Sequence, residues 1–272
     1  MQVTLLGTGD TTGTPTPGCD CDTCERAREL GVERTRFSVH IHNEVTDESL
    51  LVDISPDFRH QMLDHEVSLP DAALVTHIHF DHLHGMGNAY RLLSSLPVHA
   101  ADETDPETGK SVAETVAGDY DYLDAVTVTG HDAHESFEVC GFEVTFVPVV
   151  HPPLVCYGVR IDHGDASLAI TGDTNFGIAD ASREALSGAD LLLADGITPA
   201  SRCQYHPLGG DHHDDDGVPR TFGTKHMTIE GARDLAAELD ADRYRVLHVS
   251  HFTPADRAFE DPLAVDGEQY QL

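Results

Sequence analysis

The chain has 272 residues, 40 % of them hydrophobic, and its 48 Asp and Glu against 16 Lys and Arg give a formal net charge of −32. That balance argues against a nucleic-acid binder, which carries a basic face, and no apolar run reaches the roughly 18 residues of a membrane span. The acids are scattered rather than gathered in a tail, and lysine occurs only at Lys110 and Lys225. So large a charge is tolerable where salt shortens the screening length to about 3 Å near 1 M, and we read the chain as one from a salt-accumulating organism.

An α/β chain of this length forms one unit readily, so residues 1–272 are expected to be a single domain. The opening MQVTLLGTGD has no basic segment before its apolar stretch. It reads as a first strand, not a signal peptide, and the cytoplasm is the default location. Next comes PGCDCDTCERAR, with Cys19, Cys21 and Cys24 within six residues. A cytosolic setting disfavours disulfides, and C-x-C-x-x-C suits chelation of zinc, which needs a fourth ligand. Cys140, Cys156 and Cys203 are isolated and read as buried small apolar residues.

Alternating or apolar runs then predict strands at Arg36–His42, Ser49–Ile54, Ala72–Thr76, Val98–Ala100, Ala125–Thr129, Phe142–Val149, Cys156–Ile161, Ser167–Ile170, Leu191–Ala194 and Arg245–Leu247. Helices are predicted at Pro56–His65, Leu83–Ser95, Ala181–Leu186 with Asp180 as cap, and Ile229–Leu239 capped by Thr228. Residues 198–225 read as a long loop. Within it, DHHDDD carries His212 and His213 as solvated surface or a lid. The order of elements fits an α/β (α+β) fold of two mixed sheets packed face to face with helices outside, better than one doubly wound sheet.

The densest chemistry is THIHFDHLHG, residues 76–85. His77 and His79 are two apart and project the same way from the extended strand end, and Asp81 and His82 follow before a helix. Three imidazoles and a carboxylate around one point suit a borderline cation such as zinc. His84 points along the helix and reads as packing or as a support behind the ligands, not as a ligand.

H-x-H-x-D-H resembles the signature of the metallo-β-lactamase superfamily of binuclear hydrolases. The resemblance implies a four-layer αββα sandwich with three further ligands on later strand ends, and VPVVH, AITGD and YRVLH supply His151, Asp173 and His248. One metal is then expected on His77, His79 and His151 and a second on Asp81, His82 and His248, with Asp173 bridging. Two divalent cations, zinc or manganese, hold a hydroxide between them near neutrality for hydrolysis without a protein nucleophile. GTKHMT places His226 where phosphodiesterase branches keep a histidine that stabilises phosphate charge or protonates the leaving oxygen, a role suited to imidazole. Asp81 and His226 are thus the residues expected to take part in catalysis.

Within the superfamily the chain resembles the phosphoribosyl cyclic phosphate phosphodiesterases, the PhnP group. There a structural zinc is held by three N-terminal cysteines and a histidine just after the last catalytic ligand. Cys19, Cys21, Cys24 and His251 match that set, with Cys203, His206 or water as rival fourth ligands. The resemblance implies hydrolysis of a small cyclic ribose phosphodiester, and leaves homodimerisation open. Arg34, Arg36, Arg202 or Lys225 are candidates to bind a second substrate phosphate. Three other readings compete. A tRNA 3′-processing endonuclease requires a basic arm between His151 and Asp173, where residues 152–172 leave room only for two strands. A glyoxalase-type thioesterase usually has a C-terminal helical domain. The third is a non-catalytic metal-binding scaffold.

Overall fold

The computed structural model describes residues 1–207 and 217–272. In chain order the elements are β1 (Gln2–Gly7), α1 (Asp22–Leu30), β2 (Ser38–Asn43), β3 (Glu48–Val52), α2 (Phe58–Asp64) and β4 (Ala72–Val75). Then come α3 (Phe80–Leu83), a 3-10 turn (His84–Asn88), α4 (Ala89–Leu92), β5 (Leu96–Ala101), α5 (Val112–Asp119), β6 (Val126–His131), β7 (Ser136–Val139) and β8 (Phe142–His151). The rest is β9 (Leu154–His163), β10 (Ala166–Ile170), α6 (Asp180–Leu186), β11 (Leu191–Asp195), a 3-10 turn (Ala200–Tyr205), β12 (Thr221–Phe222), β13 (His226–Met227), α7 (Ile229–Glu238), β14 (Tyr244–Leu247) and β15 (Gln269–Gln271).

Two large mixed sheets result, ordered β15-β1-β2-β3-β4-β5-β6 and β14-β11-β10-β9-β8-β7. Side chains alternate across each strand. Leu168 and Ile170 of β10, with Leu191 and Leu193 of β11, therefore join Val39, Ile41 and Leu74 of the first sheet in one core. Ala169 and Leu192 face the other way and pack with Leu186 of α6 and Leu235 of α7. Burying each Leu or Ile contributes about 1.5–3 kcal/mol, so the alternation fixes which strand residues reach the outer helices.

The arrangement also aims strand ends. β3 runs parallel to β4, and β10, β11 and β14 run parallel to one another. Their C-terminal ends thus open on one edge, where open α/β sheets place their sites. The Tyr157 N–H donates to the Thr76 carbonyl at 3.1 Å, which ties the two sheets together there.

Several sequence expectations are corrected. The helix expected over Leu83–Ser95 is broken into α3, a 3-10 turn and α4, and in α4 Tyr90 and Arg91 leave helical torsions. A Cβ on Gly85 would lie 2.0 Å from the Ser55 carbonyl oxygen, so the chain is pressed onto its neighbour and cannot continue a regular helix. Asp180 opens α6, but the cap position is Ala179. Thr228 does cap α7, accepting from the Gly231 N–H. Arg36 lies outside β2, and Cys140 sits half-buried in the turn before β8. The expected loop over 198–225 includes a 3-10 turn and β12; His212 and His213 lie outside the described residues.

Two helices had not been expected. In α1 the capping residue is Cys21, and Thr23, Cys24 and Ala27 are buried beneath a charged face. α5 begins with a capping box, Ser111 accepting from the Glu114 N–H and Glu114 from the Ser111 N–H. The S-x-x-E spacing is its sequence signal.

Candidate active site

Apolar strands hold the edge from beneath, and the residue just past each strand turns a polar side chain into it. After β4, the Thr76 N–H and hydroxyl both donate to Asp53, which fixes the start of the His77–His82 turn. His151 ends β8, and Asp173 follows β10 through Gly172, whose positive φ and 2.6 Å approach to the Tyr157 carbonyl exclude a Cβ. His248 follows β14 with φ +60°.

The structure brings all seven expected ligands together. His79 Nδ1 lies 3.0 Å from His77 Nε2 and 3.1 Å from His151 Nε2. One ring nitrogen carries at most one proton and cannot donate to both, whereas a shared cation satisfies all three. Asp173 Oδ2 is 3.7 Å from His77 Nε2, 3.9 Å from His151 Nε2, 3.3 Å from His82 Nε2 and 3.4 Å from His248 Nε2. It stands between two donor sets. On the second, Asp81 Oδ2 is 3.8 Å from His82 Nε2 and 3.5 Å from His248 Nε2.

Each ring is oriented from behind. His82 Nδ1–H donates to Asp53 at 2.6 Å and His151 Nδ1–H to the Lys225 carbonyl at 2.9 Å, so both turn Nε2 lone pairs into the site. The Thr11 hydroxyl donates to Asp81 Oδ2 at 2.5 Å. Nε2 of His82 and of His248 is buried and has no hydrogen-bond partner among the described residues. Such orphaned nitrogens are costly in a protein interior unless something binds them, and a cation does so. The residues fit the binding of divalent metal.

The charges point the same way. Burial alone lowers the His82 and His248 pKa values, but Asp173 with Asp53 and Asp81 raises His82 well above the usual range, and Asp173 and Asp81 raise His248 to about 9. Asp173 stays far below the usual carboxylate range: burial opposes this, and His248 and His82 overcome it. His151 moves the opposite way, lowered to about 3 chiefly by burial. Positive charge is thus drawn to the Asp81–His82–His248 side, while the His77–His79–His151 side offers neutral donors.

His226, in β13, stacks on His248 with ring centroids 4.8 Å apart, and donates Nδ1–H to Asp195 at 3.0 Å. Asp195 is buried and also accepts from the Thr174 N–H. Asp53 and Asp195 were missed from the sequence. Their signal is the one that marks the ligands, a carboxylate closing an apolar run: LLVD and LLLAD. Asp10 was missed too; it accepts from the Thr12 and Gly13 N–H groups and lies near His248.

The three N-terminal thiols and His251 lie together. Sγ of Cys19 and of Cys21 lie 3.4 Å from His251 Nδ1, and Sγ of Cys24 lies 3.7 Å from it. Burial raises the Cys24 thiol to about 11, while the Cys21 backbone N–H lowers Cys19. The rivals sit elsewhere. Cys203 packs against Ile197 and Phe222, and His206 lies between the rings of Phe222 and Phe252.

Of the candidate phosphate-binding cations, Arg34 is corrected. It is buried and spends its guanidinium on the Ala264 and Ala258 carbonyls. Arg36 pairs with Asp57 at 3.1 Å. Arg202 lines a cavity of about 510 Å³ beside Cys21 and His251. Lys225 remains at the histidine cluster, where its charge helps lower His79 after the larger effect of burial.

Two mixed sheets with this donor cluster on their common edge define the metallo-β-lactamase fold. Residues 48–249 match the model of the beta-lactamase superfamily domain, and the chain belongs to that family. Its likeness to a diphosphatase of the PhnP family runs over 99 % of this chain and 96 % of that one, at 28 % identity and a TM-score of 0.75. Zinc-bound PqqB from Methylobacterium extorquens has a TM-score of 0.79 with 100 % of both chains covered; at 21 % identity it shows the shared fold. An octanoyltransferase from Porphyromonas gingivalis is 28 % identical over 259 residues, 93 % of this chain but 47 % of that protein, so the chain spans about half the length of that relative. Among the described residues no helix is long and apolar enough to cross a membrane.

Proposed function

We propose that the chain is a metal-dependent phosphodiesterase that opens a small cyclic ribose phosphodiester. The observation that carries this reading is Asp173 Oδ2 lying within 3.3–3.9 Å of four imidazole nitrogens that divide into two donor sets. His77, His79 and His151 would hold one divalent ion, and Asp81, His82 and His248 the other, with Asp173 shared. Two such ions supply Lewis-acid charge to a phosphoryl oxygen and lower the pKa of water at the site.

The chain's own residues do the rest. His226 gives its Nδ1 proton to the Asp195 hydrogen bond, which leaves Nε2 to carry a proton to the departing ribose oxygen. Asp195 balances the imidazolium until that proton is given up, and His226 is then left as the neutral ring with Nδ1–H on Asp195. Thr11 and Asp53 hold Asp81 and His82 in place, so neither ligand must reorganise during the reaction. Lys225 adds positive charge on the His79 side for a second phosphate. Cys19, Cys21, Cys24 and His251 would hold a structural zinc that pins the N-terminal loop to the turn after β14.

The substrate class rests on the likeness to the PhnP-family diphosphatase and on the net charge, which disfavours a long polyanion. β9 and β10 fill residues 154–170 as a hairpin, where a tRNA-processing enzyme would need its arm. The test is ³¹P NMR of 5-phosphoribosyl 1,2-cyclic phosphate incubated with the protein, zinc or manganese, and concentrated KCl. Conversion to ribose 1,5-bisphosphate is the expected outcome. A folded, metal-loaded protein that leaves this substrate intact would overturn the assignment.

A further inference from the structure

One buried carboxylate near the site has no part in the proposed chemistry. Asp10 is 4 % exposed. After burial, which raises its pKa, the largest influence on it is His248, which lowers it. The backbone fixes its place. Gly9 bridges in parallel to Arg36 and to Val249, and the Val249 N–H donates to the Thr8 carbonyl at 3.1 Å. A Cβ on Gly9 would lie 2.6 Å from the Arg34 carbonyl oxygen, so the chain is pressed onto its neighbour just before Asp10. The bridge to Val249 thus sets Asp10 beside the turn that runs from His248 to His251.

The two oxygens of Asp10 are used differently. Oδ1 accepts from the Thr12 N–H at 3.1 Å, the Thr12 hydroxyl at 2.9 Å and the Gly13 N–H at 3.0 Å. With the Gly13 N–H also donating to the Asp10 carbonyl, these bonds close a turn over residues 10–13. That turn presents the Thr11 hydroxyl to Asp81 Oδ2. Oδ2 of Asp10 takes none of the three bonds. The ring it bears on, His248, turns Nε2 to Asp81 at 3.5 Å and to Asp173 at 3.4 Å. With Nε2 kept for the site, Nδ1 carries the ring proton, and it is buried with no hydrogen-bond partner among the described residues. The neighbouring rings have a carboxylate there: Asp53 accepts from His82 Nδ1–H, and Asp195 from His226 Nδ1–H.

We propose that Asp10 is a positioning residue for the ion held by Asp81, His82 and His248, acting on two of those three ligands at once. Through Oδ1 and the turn it holds Thr11 against Asp81. With the charge on Oδ2 it steadies His248 in the tautomer that leaves Nε2 to bind, as outer-sphere carboxylates do for metal-binding imidazoles. His82, the third ligand, is served by Asp53. Asp10 also reaches His251, raising its pKa against the larger effect of burial, so it stands between the two clusters. The inference rests on the metal-centre reading above, and not on the choice of substrate.

Chelator competition on the full chain loaded with cobalt tests this. Thiolate-bound cobalt absorbs strongly and ions on nitrogen and oxygen do not, so the cysteine cluster is read apart. Asp10→Ala loses both arms, and affinity for one of the two histidine–aspartate ions should fall about 10–100-fold. The thiol-bound ion should change less, since sulfur supplies three of its four donors. A carboxylate accepts on both oxygens, an amide on one. Asp10→Asn should therefore restore the turn but not the charge, and recover only part of the lost affinity. Thr11→Val cuts the Asp81 arm alone and should weaken the same ion by a smaller factor. Variants that hold both ions as tightly as a two-ion parent would overturn the inference. So would full rescue by Asp10→Asn, which would make Asp10 a turn former only. A folded parent that binds fewer than two ions at the histidine–aspartate centre would overturn the metal-centre reading, and the inference with it.

Discussion

The two metal-type clusters share one turn but are built on different foundations. The histidine–aspartate centre draws its donors from the ends of β4, β8, β10 and β14, whose backbones are fixed by ladders in two sheets. The cysteine cluster draws three of its four donors from the loop before α1 and that helix's first turn, where no ladder sets the spacing. They meet between His248 and His251, so the strand end that places His248 also brings His251 to the three thiols. Positions set by sheets can hold orphaned nitrogens and compressed charges in place. Positions on a loop gain their order from whatever they bind.

If this contrast is right, substitutions in the rigid centre abolish chemistry, and those in the loop cluster change order and metal content. The largest effect is expected from Asp173→Ala. It removes the one oxygen near all four imidazoles, so both ions should be lost on dialysis, with no hydrolysis above background. Elemental analysis and ³¹P NMR of the same sample check this. Two retained equivalents would show that Asp173 does not bridge.

Second is His226→Ala, expected to lower kcat by about 10²–10⁴-fold while metal content is unchanged. Loss of metal along with rate would make His226 a ligand and not a proton donor. Third is Asp53→Asn. The His82 ring loses a charged acceptor at 2.6 Å, and affinity for one of the two ions should fall about 10–100-fold, by competition with a chelator.

The sequence carried the centre further than the fold that supports it. His77, His79, Asp81, His82, His151, Asp173 and His248 were legible because each closes an apolar strand or lies in one compact motif. The cysteine set was legible through spacing and resemblance together. α1 was hidden because its few buried residues lie under a charged face, and the cysteines had suggested a chelating loop instead. The break after Leu83 was illegible for another reason. The contact that forces it, Gly85 against Ser55, joins segments distant in sequence. Asp53 and Asp195 carried the strand-end signal but no metal motif, so their role as hydrogen-bond acceptors emerged only when the structure placed His82 and His226 beside them.

The smallest effect on rate is expected from His251→Ala, and it tests the contrast most directly. The imidazole lies within 3.4–3.7 Å of all three thiols, so its removal opens the cluster. One equivalent of zinc should be lost while the other two remain. The segment before α1 should then become susceptible to proteolysis. Hydrolysis should persist within about tenfold, because His248 keeps its own strand and its bridge through Val249 to Gly9. Two findings would break the contrast. Full zinc retention would mean that the thiols bind without the imidazole. Loss of all three equivalents would mean that the loop supports the centre, and that order passes from the cysteines to the strand end.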